Sequence, residues 1–238
     1  MDHVLLNSIS AIAIGLIIFV MSLQKSGSVK ALIYSLPIPI TIALIATDGV
    51  INATNVIGLF LICLFLWSVF FFVKRGINVY VADVIAVAMY IGIGYVAIGL
   101  VHASFETMAL LFIVAWMAFV ALYRHHPGRK LKRKPNKVSP LLKLPVVTVM
   151  AYILFGLKAI LGGVIVTFPF SGVFAVIESR DSLRILAALF TRNSIAVLAM
   201  FITMHYLVDE QLVVRLLSGL VVYSIVLGLL MRFIKFKA

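Results

Sequence analysis

Apolar residues along this chain fall into long runs of roughly 20, separated by short polar breaks, which is the length a helix needs to cross a bilayer. The runs predict helices at about 4–23, 31–48, 54–73, 79–99, 103–122, 144–160, 162–178, 183–206 and 211–231. The stretch from Leu144 to Glu178 holds 35 residues with Lys158 as its one basic residue. As a helix rising about 1.5 Å per residue it would be far too long for a single crossing. A hairpin at Gly162-Gly163 divides it in two. The expected architecture is an all-α, polytopic membrane protein of about nine spans.

Composition strengthens this reading. Of 238 residues, 64% are apolar and only 12% charged, and the mean hydropathy is +1.21, outside the range of soluble domains. No soluble domain can be cut from what the spans leave over. The net charge of +12 would suggest nucleic-acid binding in a soluble protein, but here basic loops between apolar spans are what the positive-inside rule requires. Seventeen of the 20 basic residues lie on one set of breaks: Lys25, Lys30, Lys74, Arg75, eight within 123–143, Arg180, Arg184, Arg232, Lys235 and Lys237. With nine spans the N-terminus is then outside and the C-terminus cytoplasmic. Cys63 is the one cysteine, so neither an intrachain disulfide nor a cysteine-based metal site can form. The N-terminal run lacks a basic flank and a small-residue cleavage site, and reads as a retained span.

The basic segment 123–143 is the one sizeable polar stretch. It suits a topology-fixing cytoplasmic linker, or a patch for anionic lipid headgroups. Across it the chain shows a weak self-similarity. KALIYSLPIPITIALIATDG begins at Lys30 and KAILGGVIVTFPFSGVFAVIES begins at Lys158. Pro39, Thr41 and Asp48 correspond to Pro169, Ser171 and Glu178 at a constant offset of 130. The chain thus divides into a first four-helix repeat (1–100), a linker helix with the basic loop (101–143), and a second four-helix repeat (144–238). The odd linker helix inverts the second repeat, giving a 4+1+4 plan. Inverted repeats with proline-broken helices occur in secondary transporters, where half-helix ends and freed backbone groups line a site between the halves.

Polar residues within the spans are the candidate chemistry, since a charge near the bilayer centre costs about 2.5–3.5 kcal/mol on insertion scales. Arg192 lies midway along the eighth span, followed by Asn193 and Ser194. A guanidinium there can hold a carboxylate or phosphate bidentately, or can serve as a structural ion pair. Substrate-binding candidates are therefore Arg192 and Asn193, with Thr41, Ser171, Pro39 and Pro169 at the paired helix breaks. Asp48 and Glu178 are candidate gate or coupling carboxyls. Asp83, one turn into the fourth span, reads as an interfacial polar residue, and so does the pair His102 and Glu106. Trp67 and the aromatic run Phe70–Phe72 beside Lys74 read as an interfacial belt. His205, near the outer end of the eighth span, reads as a pH-responsive group or as an interfacial histidine that reaches headgroup water; Asn55 and Tyr90 are further polar positions without a specific role. No HExxH, GxSxG or phosphate-binding glycine-rich loop occurs; no enzyme, metal or cofactor is expected.

At the proline repeat the sequence resembles the GlpM-type small bacterial inner-membrane proteins. The resemblance is carried by LLNSISAIAIGLIIFVMSLQKSGSVKALIYSLPIPITIALIATDG, with a polar turn at Gln24–Lys30 and prolines at Pro37 and Pro39. In the second half it is carried by FPFSGVFAVIESRDSLRILAALFTRN, around Pro169 and Arg184. It implies a four-helix unit whose antiparallel pairing is here fused into one chain, and it implies no substrate. The expected function is a small secondary transporter or exporter of a small anionic or lipid-linked solute, by alternating access between the repeats in the cell's inner membrane. The alternative is a non-transporting scaffold that engages partners through its basic loop. The expected partners are the lipid bilayer and the solute or a lipid headgroup. A homodimer is compatible with the pattern and nucleic acid is not.

Overall fold

The computed structural model describes residues 3–23, 37–47, 49–124, 139–180 and 182–233, and every element in it is helical. In chain order these are α1 (His3–Ser22), α2 (Ile38–Ala46), α3 (Ala53–Lys74), α4 (Val79–Leu100), α5 (Phe105–Arg124) and α6 (Pro140–Gly156). There follow the one-turn α7 (Lys158–Leu161), a 3-10 helix η1 (Gly162–Thr167), α8 (Phe170–Glu178), α9 (Leu183–Tyr206) and α10 (Leu212–Phe233).

Among the described residues, α3, α4, α5, α9 and α10 are each long and apolar enough to cross a membrane. A sixth crossing is available if α6 and the α7–η1 segment count as one span bent by 64°. The molecule is a membrane-embedded helical protein. Its long helices start where local chemistry says they should. Asn52 caps α3 by accepting from the Thr54 amide, and Asn55 returns the bond to the Asn52 amide, a reciprocal capping arrangement. Asn78 caps α4 in the same sense, accepting from Tyr80.

Two of the expected proline-containing spans, 31–48 and 162–178, are not continuous helices. The reversal expected at Gly162-Gly163 is not one tight turn: it is spread over a 64° bend after α6 and a stretch of 3-10 geometry, and α8 then returns to bring Glu178 back to Lys143. Gly162 has a φ of +48°, a conformation open mainly to glycine. Phe168 and Pro169 then separate η1 from α8, because proline has no N–H to continue the ladder. Of the expected span at 31–48, the described residues begin at Pro37 and α2 starts directly after it, at Ile38; residues 24–36 and Asp48 lie outside the described residues, as do the basic segment 125–138 and Asp181.

Packing places α3 and α9 at the centre, with 61% and 72% of their spanning windows buried against 28% for α4, α5 and α10. α3 and α9 lie against each other, α4 against α3, and α10 against α9. α5 touches both central helices, and α1 packs along α6 and against α2. The α1–α6 seam buries Ile14 and Ile18 on one side and Val147, Ala151 and Phe155 on the other. The outer helices turn apolar faces outward, including Val84, Val96 and Leu100 on α4 and Val213, Leu217 and Val221 on α10. In water that would be a liability; against lipid it is the expected surface.

Candidate functional site

The two proline breaks meet at one place. A cavity of about 40 Å³ is lined by Pro39 and Ile40 of α2, Leu59 and Ile62 of α3, and Phe168, Pro169 and Ser171 at the start of α8. Phe190, Asn193, Ser194 and Val197 of α9 complete it. At about 10–15 Å³ per water-sized probe, this space admits two or three waters or a solute of similar size. Two helices of nine residues begin there. Pro37 is the N-cap of α2 and Pro169 that of α8, and neither N-terminus has a side-chain cap. Such N-termini present the positive end of the helix dipole, though Pro37, Pro39 and Pro169 carry no N–H and the Phe170 amide already donates to the Phe168 carbonyl. Among the described residues, no acidic side chain lines the cavity.

Its polar wall belongs to α9 and α8. Ser171, Asn193 and Ser194 are all buried. Arg192, also buried, does not line the cavity; its Nε donates to Asn193 Oδ1 at 3.1 Å. That bond holds the oxygen end of the amide, so the nitrogen, a donor, is the end directed away from the guanidinium. Ser194 Oγ donates to the Thr191 carbonyl at 2.6 Å and lies 3.8 Å from Cys63 Sγ. Thr41 is not at the cavity either. Its hydroxyl donates back to the Pro37 carbonyl at 2.9 Å, an acceptor the Thr41 amide also uses.

Two tryptophans fasten this part of α9. Trp67 Nε1 donates to Thr191 Oγ1 (3.1 Å) and Trp116 Nε1 to the Thr191 and Arg192 carbonyls (2.9 and 3.2 Å). Trp67, expected in an interfacial belt, is half-buried and turns its ring N–H inward to α9. The broken segment η1 is held from the opposite side. Tyr90 donates to the Val164 carbonyl at 2.8 Å and lies 3.0 Å from Thr167 Oγ1. Asn55 Nδ2 donates to the Gly163 carbonyl at 3.3 Å, and the Gly163 amide donates to Thr54 Oγ1 at 2.8 Å. These bonds satisfy backbone groups that an unbroken helix would have satisfied itself. Gly58 lets η1 approach α3, since any side chain there would collide with the Thr167 hydroxyl.

Charged groups close both ends of the bundle. Lys143, expected at the end of the basic loop, is instead fully buried in α6 and ion-paired with Glu178 at the end of α8. At the other end, buried Arg215 donates from Nε to the Met204 carbonyl (3.2 Å) and from Nη2 to the Gly49 carbonyl (2.7 Å). His205 contacts the Ile51 carbonyl through Nδ1 (3.0 Å) and Glu106 through Nε2 (3.5 Å), and stacks on Phe105. Glu106 thus pairs across to α9 rather than with His102, which precedes α5 in a non-helical stretch.

Of the expected site residues, the structure brings Pro39, Pro169, Ser171 and Asn193 to one cavity. It sets Arg192 behind Asn193, Thr41 off the cavity, and Glu178 in an ion pair. Asp48 lies outside the described residues. Sequence reasoning missed Ser194 and the Lys143 partner. Ser194 follows Asn193 directly, a signal within reach; nothing in the sequence distinguishes Lys143 from the loop lysines before it. Comparison with protein-family models, curated proteins and solved structures finds no match.

Proposed function

We propose that the protein is a secondary transporter of a small anion, bound in the cavity between the starts of α2 and α8. The observation that carries this reading is the convergence of two helix N-termini without side-chain caps on one small cavity that has three buried polar side chains and no acid among the described residues. Half-helix N-termini aimed at an anionic group are a recurring transporter device. The Asn193 amide and the Ser171 hydroxyl add side-chain donors, and Arg192 behind Asn193 adds positive potential at short range. The volume favours a small ion over a lipid-linked solute.

Alternating access requires two related halves, and several features support an inverted repeat of nine spans. α2 and α8 have equal length and both follow a proline N-cap, which pairs Pro37, rather than Pro39, with Pro169. The buried residues Ala82, Asp83, Ala86, Tyr90 and Gly94 of α4 match Arg215, Leu216, Gly219, Tyr223 and Leu227 of α10 at a constant spacing of 133. Corresponding helices also pair with each other, α1 with α6 and α3 with α9. In this scheme the Lys143–Glu178 pair closes the cytoplasmic end, and the Arg215 and His205 contacts close the outer one. The narrow cavity then corresponds to an occluded state.

The test is thermal stability of the purified protein with halides, nitrate, formate, acetate and phosphate, for wild type and Asn193→Leu. A ligand at about 100 times its dissociation constant adds about 2.7 kcal/mol of stability. Stabilisation by one or more small anions, reduced to about half or less in Asn193→Leu, is expected; a flat response to every anion would overturn the reading.

A further inference from the structure

α4 carries a carboxylate that the anion cavity does not use. Asp83, the fifth residue of α4, is 4% exposed, and its Oδ1 is buried without a hydrogen-bond partner. Packed against α4 are α3, α7 and α8, and η1, which carries no titratable side chain, through Tyr90 and Gly94. Their titratable and charged groups are Cys63 and Lys74 on α3, Lys158 on α7 and Glu178 on α8, with Arg75 and Arg180 just beyond α3 and α8. Glu178 is taken by Lys143, and the Arg75 guanidinium lies over the Phe71 ring at 4.0 Å. On α4 itself are Tyr80, Tyr90 and Tyr95, and the Tyr90 hydroxyl is committed to η1. No described side chain forms an ion pair or hydrogen bond with Asp83.

A bare carboxylate in a spanning helix is costly and marks a functional position by default. A metal cation would need several oxygen ligands around it, and the described residues contain no group of three or more His, Cys, Asp or Glu side chains. A proton is the one cation that a single carboxyl can bind by itself. Position adds to this. α8 begins at the cavity with Pro169 and Ser171 and packs against α4, so a shift of α8 on filling or emptying the cavity is passed to the helix that carries Asp83.

We propose that Asp83 is the proton-binding site of this protein, loaded and unloaded in step with the anion. The inference rests on the transport reading above and makes the process anion–proton symport. The carboxylate takes up one proton to become the neutral acid and releases it on the other side. One monovalent anion and one proton then cross together with no net charge.

Two measurements on the full chain test it. Infrared difference spectra between acidic and alkaline buffer report a protonated carboxyl directly; a C=O band present in wild type and missing in Asp83→Asn is expected. In proteoliposomes with a trapped pH dye and an imposed nitrate, chloride or formate gradient, wild type moves protons with the anion. Asp83→Asn retains anion–anion exchange with proton movement at background, and Asp83→Glu keeps both. An unchanged proton-to-anion ratio in Asp83→Asn overturns the proposal, as does the absence of any carboxyl band assignable to Asp83. So does loss of exchange and coupling together in a variant as stable as wild type and not rescued by Asp83→Glu. A wild type that moves no anion overturns the transport reading instead, and the infrared result still decides whether Asp83 holds a proton.

Discussion

Asn193 and Arg192 are adjacent in sequence and take different tasks because successive helical side chains point about 100° apart. Asn193 faces the cavity and Arg192 holds its amide oxygen from the side. A hydrogen bond to a charged group is worth about 1.5–3 kcal/mol, so Asn193→Leu should weaken anion binding by roughly 10- to 100-fold, measured by titration calorimetry. Arg192→Lys removes the planar donor that orients the amide and should weaken binding less than Asn193→Leu does; the same titration compares them. Polar residues in apolar runs made Asn193 and Ser171 legible in the sequence, because few reasons exist to keep them in a bilayer. Thr41 followed the same reasoning and is spent locally, on the Pro37 carbonyl. Spacing along a chain does not tell whether a hydroxyl turns outward or back onto its own helix.

Among elements, the long helices α3, α4, α5, α9 and α10 lie within a few residues of their expected spans, since an unbroken apolar run leaves little freedom. The proline-bearing spans differ. A kink, a break and a 3-10 segment all follow from the same residues, and tertiary partners decide among them. Here the partners are Asn55, Thr54 and Tyr90, which bond the η1 backbone. Gly58→Ala should undock η1 and destabilise the protein by about 1–3 kcal/mol, the usual cost of overpacking, seen as a lowered thermal midpoint. Lys143 and Glu178 make the second element-scale prediction. Removing one partner of a buried pair leaves a lone charge and costs about 3–5 kcal/mol. Glu178→Gln should therefore lower stability strongly, whereas Lys143→Met with Glu178→Met should restore most of it. If the pair is the cytoplasmic closure, the double variant also leaks anion without a gradient of its partner ion.

Across the whole molecule, the apolar bulk and helical class follow directly from composition, because only helices or closed barrels satisfy their backbone in lipid. The number of crossings and the repeat depend on segments that proline interrupts, where length alone does not decide. The nine crossings proposed above would place the termini on opposite faces, with the N-terminus outside. Reporter fusions at both ends should show the C-terminal one active in the cytoplasm and the N-terminal one outside; both on one face would exclude an odd count. The central claim is that a small anion passes through the cavity between α2, α8, α3 and α9. The most direct measurement is anion efflux from proteoliposomes containing wild type or Val197→Phe, which fills that cavity without adding charge. Efflux well above that of empty liposomes in wild type, abolished in a correctly folded Val197→Phe, is the expected result. Efflux no faster than from empty liposomes, or equal efflux in both proteins, would contradict it.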